Sequence, residues 1–373
     1  MPASARTQCI VVSARRVLLI ESLLADDELW SNASDSMRAE AIAMLTAVAE
    51  DFRRLPETEP TLLLSPQACA MLHSAGRLTA NVVVEESKSG PADWLRQQSD
   101  KAGSFDDMML IAPECDGALV SLLQEIQCDS WGCVRCLNLD SLAAATFSDK
   151  RATAEWLRKH RIATPETKTI SDQRASEFLY RRTRIAEYCV LKPRHGAGSD
   201  RVNVISMSTS EFNRLPEDSH EPNFEWILQP LIEGAACSIG LIGGGRARPT
   251  LILPAASQDV RRQNDQFRYH GGSIPCAAPL ASAVTLVAEQ IAEALGAFSG
   301  YVGIDVVVST AANGDTTAQV IEINPRLCTS YVGYRALCED NLAACLLQQH
   351  GREQLRWKSV VVDFDTECVV RVS

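Results

Sequence analysis

Between residues 300 and 335 the apolar positions gather into two β-branched runs, Tyr301 to Val308 and Ala318 to Ile323, with Asn313-Gly314 between them. Runs of that composition favour strands, and Asn-Gly favours a tight hairpin turn. With the turn centred on that pair, Asp305 lies opposite Glu322. Side chains alternate along a strand, so Glu322 and Asn324 share one face while Ile321 and Ile323 take the other. Asp305, Glu322 and Asn324 therefore converge within otherwise apolar strands. Opposed carboxylates repel and are expensive to bury unpaired. A divalent cation with all-oxygen ligands, such as Mg²⁺ bridging carboxylates and phosphates, removes the conflict. The plain alternative is a solvated edge hairpin, which the apolar flanks argue against. The expectation depends on register, since a one-residue slip turns Asp305 away from Glu322.

Upstream, Val17 to Glu21, Thr61 to Ser65, Asn81 to Glu85 and Met108 to Ala112 read as short strands. A helix capped by Ser34 carries Met37, Ile42, Leu45, Val48, Ala49 and Phe52 on one face, and another runs from about Gly117 to Gln127. This alternation predicts a small, mainly parallel α/β lobe. No glycine fingerprint follows its strands, which argues against a Rossmann cofactor site. Leu139 to His160 reads as helical with one break, capped by Asp140 and by Ser148-Asp149.

Then the period changes. Tyr188 to Lys192 and Val202 to Ser206 are strands flanking the glycine-rich stretch Arg194 to Arg201. Such a loop can lay backbone N–H groups over phosphates; taken alone, it favours an ordinary hairpin turn. Glu225 to Ile232 is a strand whose Pro230 requires a position without a ladder partner on that side. Gly234 to Gly245 and Leu251 to Pro254 are further strands, and Ser282 to Leu295 is an amphipathic helix. Asp259 to Gly272 is polar and reads as a mobile loop. A helix is expected over about Asn341 to His350, followed by paired short strands at Val360 to Phe364 and Glu367 to Val372.

Length and composition narrow the possibilities. With 373 residues, the chain can build two or three lobes. Its net charge of −11 argues against a nucleic-acid partner, though not against local anion binding in one cleft. No apolar run is long enough for a membrane span, and Met1 to Ile10 lacks the apolar core of a signal peptide, so a cytoplasmic location is expected. The 13 cysteines are scattered among apolar residues, and the CxxC at Cys133 and Cys136 lacks a second pair for zinc. Reduced, mostly buried thiols are expected.

Five stretches then carry a resemblance: SDK at Ser148 to Lys150, LKPRHGAGS at Leu191 to Ser199, ILQPLIEG at Ile227 to Gly234, GYVGID at Gly300 to Asp305 and EINPR at Glu322 to Arg326. In this order they resemble the ATP-grasp superfamily, over more than half the chain. The VLLIES start at Val17, IAPECDG at Ile111 to Gly117 and NPRLCTSYVGYR at Asn324 to Arg335 are similar to the tyramine–glutamate ligases of methanofuran biosynthesis and their bacterial relatives.

The resemblance implies an α/β chain of the α+β ATP-grasp type. A pre-ATP-grasp α/β domain would span residues 1–140, a small lobe with the glycine-rich loop 141–230, and a C-terminal lobe with the metal site 231–373. The last two would clamp ATP between them. Lys150 and Lys192 would contact the ATP phosphates, with His195, Gly196, Ala197, Gly198 and Ser199 as the loop over them. Gln229, Leu231 and Ile232 would read adenine through their backbone, and Glu233 would meet the ribose. Asp305, Glu322 and Asn324 would bind Mg²⁺, with Mn²⁺ as a substitute. Arg326 and Lys192 would be catalytic, Arg326 beside the transferred phosphate.

Gln229 stands where an acidic residue is usual. Gly303 stands where the D-alanine ligase branch has an arginine, a charge that Arg326 or the Arg261 to Arg268 segment would have to supply. The implied reaction joins a small-molecule carboxylate to an amine and forms ADP. In the narrower resemblance these are glutamate and tyramine or tyrosine, with Arg268, Ser330, Tyr331 and Tyr334 as pocket candidates beside Tyr301 and Thr329. Core packing is the alternative for the tyrosines. Other readings are a ligase for another amino acid or peptide, or a nucleotide-binding protein without catalysis. A homodimer is compatible with each.

Overall fold

A computed structural model of the protein describes residues 14–78, 82–127, 130–170, 188–196, 201–206, 225–351, 353, 355–366 and 369–373. The apolar runs of the N-terminal part become β1 (Arg15–Glu21), β2 (Thr58–Leu64), β3 (Val83–Glu86), β4 (Asp107–Ile111) and β5 (Arg135–Cys136). They form a five-stranded parallel sheet in the order β3-β2-β1-β4-β5. Parallel neighbours need crossovers. These contain α1 (Asp27–Asn32), α2 (Asp35–Arg53), α3 (Pro66–Ser74), α4 (Pro91–Gln97) and α5 (Ala118–Ile126). The parallel lobe expected from the alternation is present.

Ser34 caps α2 by accepting the Met37 N–H at 3.3 Å. Ala41, Leu45, Val48 and Phe52 of α2 pack on Val17, Leu19 and Leu62. Met37, assigned to that apolar face, is 38% exposed because it lies in the first turn, beyond the edge of the core.

The rest of the chain begins with α6 (Ser141–Ser148) and α7 (Lys150–Lys159), broken at Asp149 as expected. Twelve strands follow in a second, antiparallel sheet. They are β6 (Lys168–Ile170), β7 (Tyr188–Pro193), β8 (Asn203–Ser206), β9 (Trp226–Pro230), β10 (Ala235–Gly244), β11 (Leu251–Ile252), β12 (Ala256–Gln263), β13 (Gln266–Ile274), β14 (Ser299–Thr310), β15 (Thr316–Asn324), β16 (Val362–Asp365) and β17 (Val370–Val372). The main path runs β15-β14-β10-β12-β13-β8-β7-β9-β6, with β11 on β10 and the β16–β17 pair on β13. Pro230 ends β9 opposite Cys189 of β7, beyond the last β6 pairing at Leu228, so its missing N–H breaks no ladder on that side.

Helix α8 (Ala278–Leu295) packs Val284, Val287 and Ile291 with Ile239, Val302, Ile304 and Val306 on one face of this sheet. On the other face lie α9 (Ser330–Leu337) and α10 (Leu342–Leu346), in one core with α2 of the N-terminal part. A buried carboxylate ties the two parts. Asp51 of α2 accepts the Tyr331 hydroxyl at 2.8 Å and the Arg335 guanidinium at 2.7 Å, and its backbone carbonyl accepts Asn341 Nδ2 at 2.7 Å.

Asp259 to Gly272, expected as a mobile loop, is instead most of the β12–β13 hairpin. Its turn residues Asn264 and Asp265 both take left-handed φ values, +49° and +62°, as a type I′ turn requires. Asn and Asp tolerate that region better than other non-glycine residues, while the flanking polar strands hide the alternation that marks a half-buried strand. Helix α9 was not anticipated either. Ser330 to Tyr334 are all buried, so no helical period shows.

Candidate functional site

The site is assembled where the start of α7 meets the end of β7. Asp149 caps α7 through the Arg151 and Ala152 N–H groups, at 2.9 and 3.1 Å. The same carboxylate takes a two-pronged contact from Arg194, at 2.9 and 2.5 Å. The Lys150 N–H adds a bond to the Arg194 carbonyl at 3.0 Å. These bonds fix Lys150, the first residue of α7, against the exit of β7, which carries Lys192.

Both lysines are buried, 6% and 3% exposed, which is costly for cations without nearby negative charge. Lys150 Nζ lies 2.9 Å from Glu322 Oε1 and donates to the Gly196 carbonyl at 2.5 Å. Burial pulls the Lys192 ammonium down to about 8; Glu322 opposes the shift and Lys150 adds to it.

The carboxylates come from β14 and β15. Asp305 pairs with Glu322, and Gly303 with Asn324. Asp305 accepts Gln258 Nε2 at 2.8 Å and Asn324 Nδ2 at 2.9 Å. Burial first, then the neighbouring Glu322, pushes Asp305 up to about 6. Two carboxylates and a carboxamide are an all-oxygen donor set that fits Mg²⁺. Among the described residues, no three His, Cys, Asp or Glu side chains gather as a metal cluster, so the site's donor set depends on the Asn324 carboxamide beside its two carboxylates.

The glycine-rich stretch is described only in part. His195 Nδ1 is 3.2 Å from the Ser148 carbonyl, and Gly196 takes φ +143°. Ala197, Gly198 and Ser199 lie outside the described residues. Gln229 is buried with its amide donating to Thr167 Oγ1 at 2.8 Å, so its side chain is committed to the fold. The Leu231 N–H is taken by the Tyr188 carbonyl at 3.0 Å. Leu231 and Ile232 are half-buried outside the ladder, and Glu233 is exposed.

Arg326 does not point freely at the lysine–carboxylate cluster. Its guanidinium sits 3.0 Å from each oxygen of Glu114, a buried residue of the N-terminal part, and donates to the Leu327 carbonyl at 3.1 Å. Burial works against the charged form of Arg326, but Glu114, with Cys328 and Glu40, more than offsets it and the net shift is upward. Glu21, at the end of β1, lies in the same field. Burial raises it to about 7 against the pull of Leu24 N–H and Arg326.

The structure places the pocket candidates in different settings. Tyr331 and Tyr334 are wholly buried: the first donates to Asp51, and the second accepts the Gly240 N–H at 3.1 Å. Ser330 is 8% exposed, with its Oγ 3.3 Å from the Tyr301 hydroxyl. Tyr331 and Tyr334 pack in the core. Arg268 is exposed on β13. At Gly303, the Cys328 sulfur fills the space that any side chain would need, so an arginine there has no room. Gln258 and Glu114 were not anticipated as site residues. They reach Asp305 and Arg326 across 47 and 212 residues of chain, beyond the reach of any local pattern.

Residues 147–330 match the ATP-grasp domain family. A stretch of 157 residues, 42% of this chain, is 27% identical to the tyramine–L-glutamate ligase of Methanocaldococcus fervens and covers 46% of it. The chain thus matches about half the length of that curated relative. The fold is similar to an ATP-grasp superfamily protein from Archaeoglobus fulgidus, with a TM-score of 0.64 and 21% identity over 94% of this chain and 92% of that one. It is also similar to the L-amino acid ligase of Bacillus licheniformis, with a TM-score of 0.64 and 15% identity over 94% of this chain and 79% of that one. Residues 147–330 thus carry an ATP-grasp domain, and the chain as a whole shares the fold of ATP-grasp proteins.

Proposed function

We propose that the protein is an ATP-dependent carboxylate–amine ligase that forms an amide through an acyl phosphate. The observation that carries this reading is the convergence of buried Lys150 and Lys192 on Asp305, Glu322 and Asn324. A carboxylate is a poor acyl donor until its oxygen is phosphorylated. Phosphoryl transfer needs positioning and charge neutralisation, with little covalent help from the protein. The lysines would contact the phosphates of ATP. Asp305, Glu322 and Asn324 would hold Mg²⁺, which supplies further neutralisation of phosphate charge. His195 and Gly196 are assigned to the phosphate side, residues 229–233 to the adenosine side. Arg326 would act once released from Glu114.

We assign residues 1–140, 141–230 and 231–373 to the pre-ATP-grasp domain, the small lobe and the metal-bearing lobe. The likeness to the Methanocaldococcus enzyme supports glutamate as acyl donor and tyramine or tyrosine as acceptor, in cofactor biosynthesis of the methanofuran type. The scattered thiols support a cytoplasmic setting. A second reading keeps the chemistry and changes the substrates to other amino acids, supported by the likeness to an L-amino acid ligase.

The test is product analysis with ATP, Mg²⁺ and glutamate, with and without tyramine, tyrosine or an amino-acid panel. Amine-dependent ADP and phosphate with a new amide by mass are expected; AMP and pyrophosphate would overturn the mechanism. Glu322→Ala should lower turnover by about 100-fold or more, in line with losing one charge-stabilising group. A protein that merely binds nucleotide would lose only part of its affinity.

A further inference from the structure

The two oxygens of Asp305 are held from opposite sides of β14. Oδ2 accepts Asn324 Nδ2 from β15 at 2.9 Å, and Oδ1 accepts Gln258 Nε2 from β12 at 2.8 Å. The first bond joins neighbours, since β15 pairs directly with β14. The second does not: β12 and β14 each pair with β10, which lies between them. Strands two places apart in a sheet are separated by about 10 Å. Gln258 therefore reaches over β10 to touch Asp305.

The sequence of β10 makes that reach possible. Ser238 lies opposite Asp305 of β14 and opposite Ala256 of β12. Gln258 is two residues beyond Ala256 and so shares its face. Two residues before Ser238 on the same face of β10 is Ala236, opposite Val307. A serine and an alanine keep this face of β10 shallow, and a larger side chain at either position would obstruct the path of Gln258. The strand is also bent at this point. Beyond Gln258, one residue of β12, Asp259, stands against two of β13, His270 and Gly271. A bulge of this kind re-aims the side chains beside it. Gly271 permits it, with φ +127° and a backbone that leaves no room for a Cβ against the Phe364 carbonyl.

We propose that Gln258 is a positioning residue for the metal centre, whose amide fixes the Asp305 carboxylate in the orientation that takes Mg²⁺. The inference rests on the ligase reading given above, in which Asp305 is a metal ligand. The amide is neutral, so it orients the carboxylate without cancelling its charge, whereas Glu322 meets the Lys150 ammonium directly at 2.9 Å. A carboxylate offers about four lone-pair sites, and the two amide bonds take one on each oxygen. Each oxygen keeps a site for a cation. Partners that hold a metal ligand in this way fix its geometry, and their loss typically weakens metal binding about 10- to 100-fold.

Metal-free nucleotide binding separates this role from the fold. ADP is titrated calorimetrically into the full-length protein, in EDTA and at a series of Mg²⁺ concentrations. Gln258→Met keeps the length of the side chain and removes the donor. Its ADP affinity in EDTA should stay within about twofold of wild type, while the Mg²⁺ concentration that half-saturates the Mg²⁺-dependent tightening of ADP should rise by about 10-fold or more. Gln258→Asn keeps the amide but is one carbon too short to cross β10, so the same rise is expected. An unchanged Mg²⁺ requirement in either variant overturns the inference. So does a loss of ADP affinity in EDTA as large as the loss of Mg²⁺ response, which would mark a general structural effect. Glu322→Ala is the reference. If wild type and Glu322→Ala respond to Mg²⁺ alike, the metal centre of the ligase reading fails, and this inference with it.

Discussion

Glu21 shows how a single buried charge shapes the behaviour of the chain. It ends β1 wholly enclosed, accepting the Leu24 N–H at 2.9 Å, and burial raises it from 4.5 to about 7. A group raised in this way contributes stability below its unfolded value, and loses that contribution as pH rises through its folded value. From this residue the protein is expected to lose about 3 kcal/mol at most between pH 4.5 and 8. Glu21→Gln should flatten that part of the profile, read by urea denaturation at pH 5.5 and 8. An unchanged slope would mean that Glu21 is ionised in place at both pH values. At this scale the sequence was informative where chemistry is local and polar residues interrupt an apolar run. Asp305, Glu322 and Asn324 stood out for that reason. Tyr331 and Tyr334 carry the same polar atoms, yet their hydroxyls are spent on Asp51 and Gly240, partners that no nearby residue announces.

Among the elements, the β14–β15 hairpin is the most instructive. Asp305 does face Glu322, but not through the two-residue turn that suggested it. The chain turns over Ala312, Asn313 and Gly314, with the Gly314 N–H bonded to the Ala311 carbonyl at 2.9 Å and the Ala311 N–H to the Asp315 carbonyl at 2.8 Å. That longer loop sets Thr310 opposite Thr316, one residue out of step with the expected register. A bulge at Ile321 inserts one extra residue on β15 and restores the step before Glu322. Two departures cancel, so the expected pairing is reached by a different path. Gly314 makes the loop possible with φ +88°. Gly314→Ala should cost about 1 kcal/mol in urea denaturation, because alanine is strained there, while amide formation is preserved. A cost near zero would indicate that the loop relaxes to another turn. The β12–β13 hairpin escaped notice for a related reason. Both its faces are polar near the turn, so the period-two signal is absent where it would be sought.

Across the whole molecule, the N-terminal part is attached to the C-terminal part by buried acids that meet arginines. Glu114 holds Arg326, and Asp51 holds Arg335 together with Tyr331. Removing one partner of such a pair leaves the other uncompensated and costs about 3 kcal/mol or more. Asp51→Ala should therefore lower stability by about that amount in chemical denaturation. An effect below about 1 kcal/mol would mean that Arg335 reaches solvent without it. The parallel lobe was readable from its alternation, whereas its attachment was not, because the joined residues are separated by 212 and 284 positions. The same separation has a meaning in time. Synthesis runs from the N-terminus, and domains made first generally fold first. Asp51 is thus completed nearly three hundred residues before the arginine that neutralises it. Until Arg335 emerges, the early lobe carries an acid that must stay hydrated, so α2 reaches its final seating only when the far end of the chain returns to claim it.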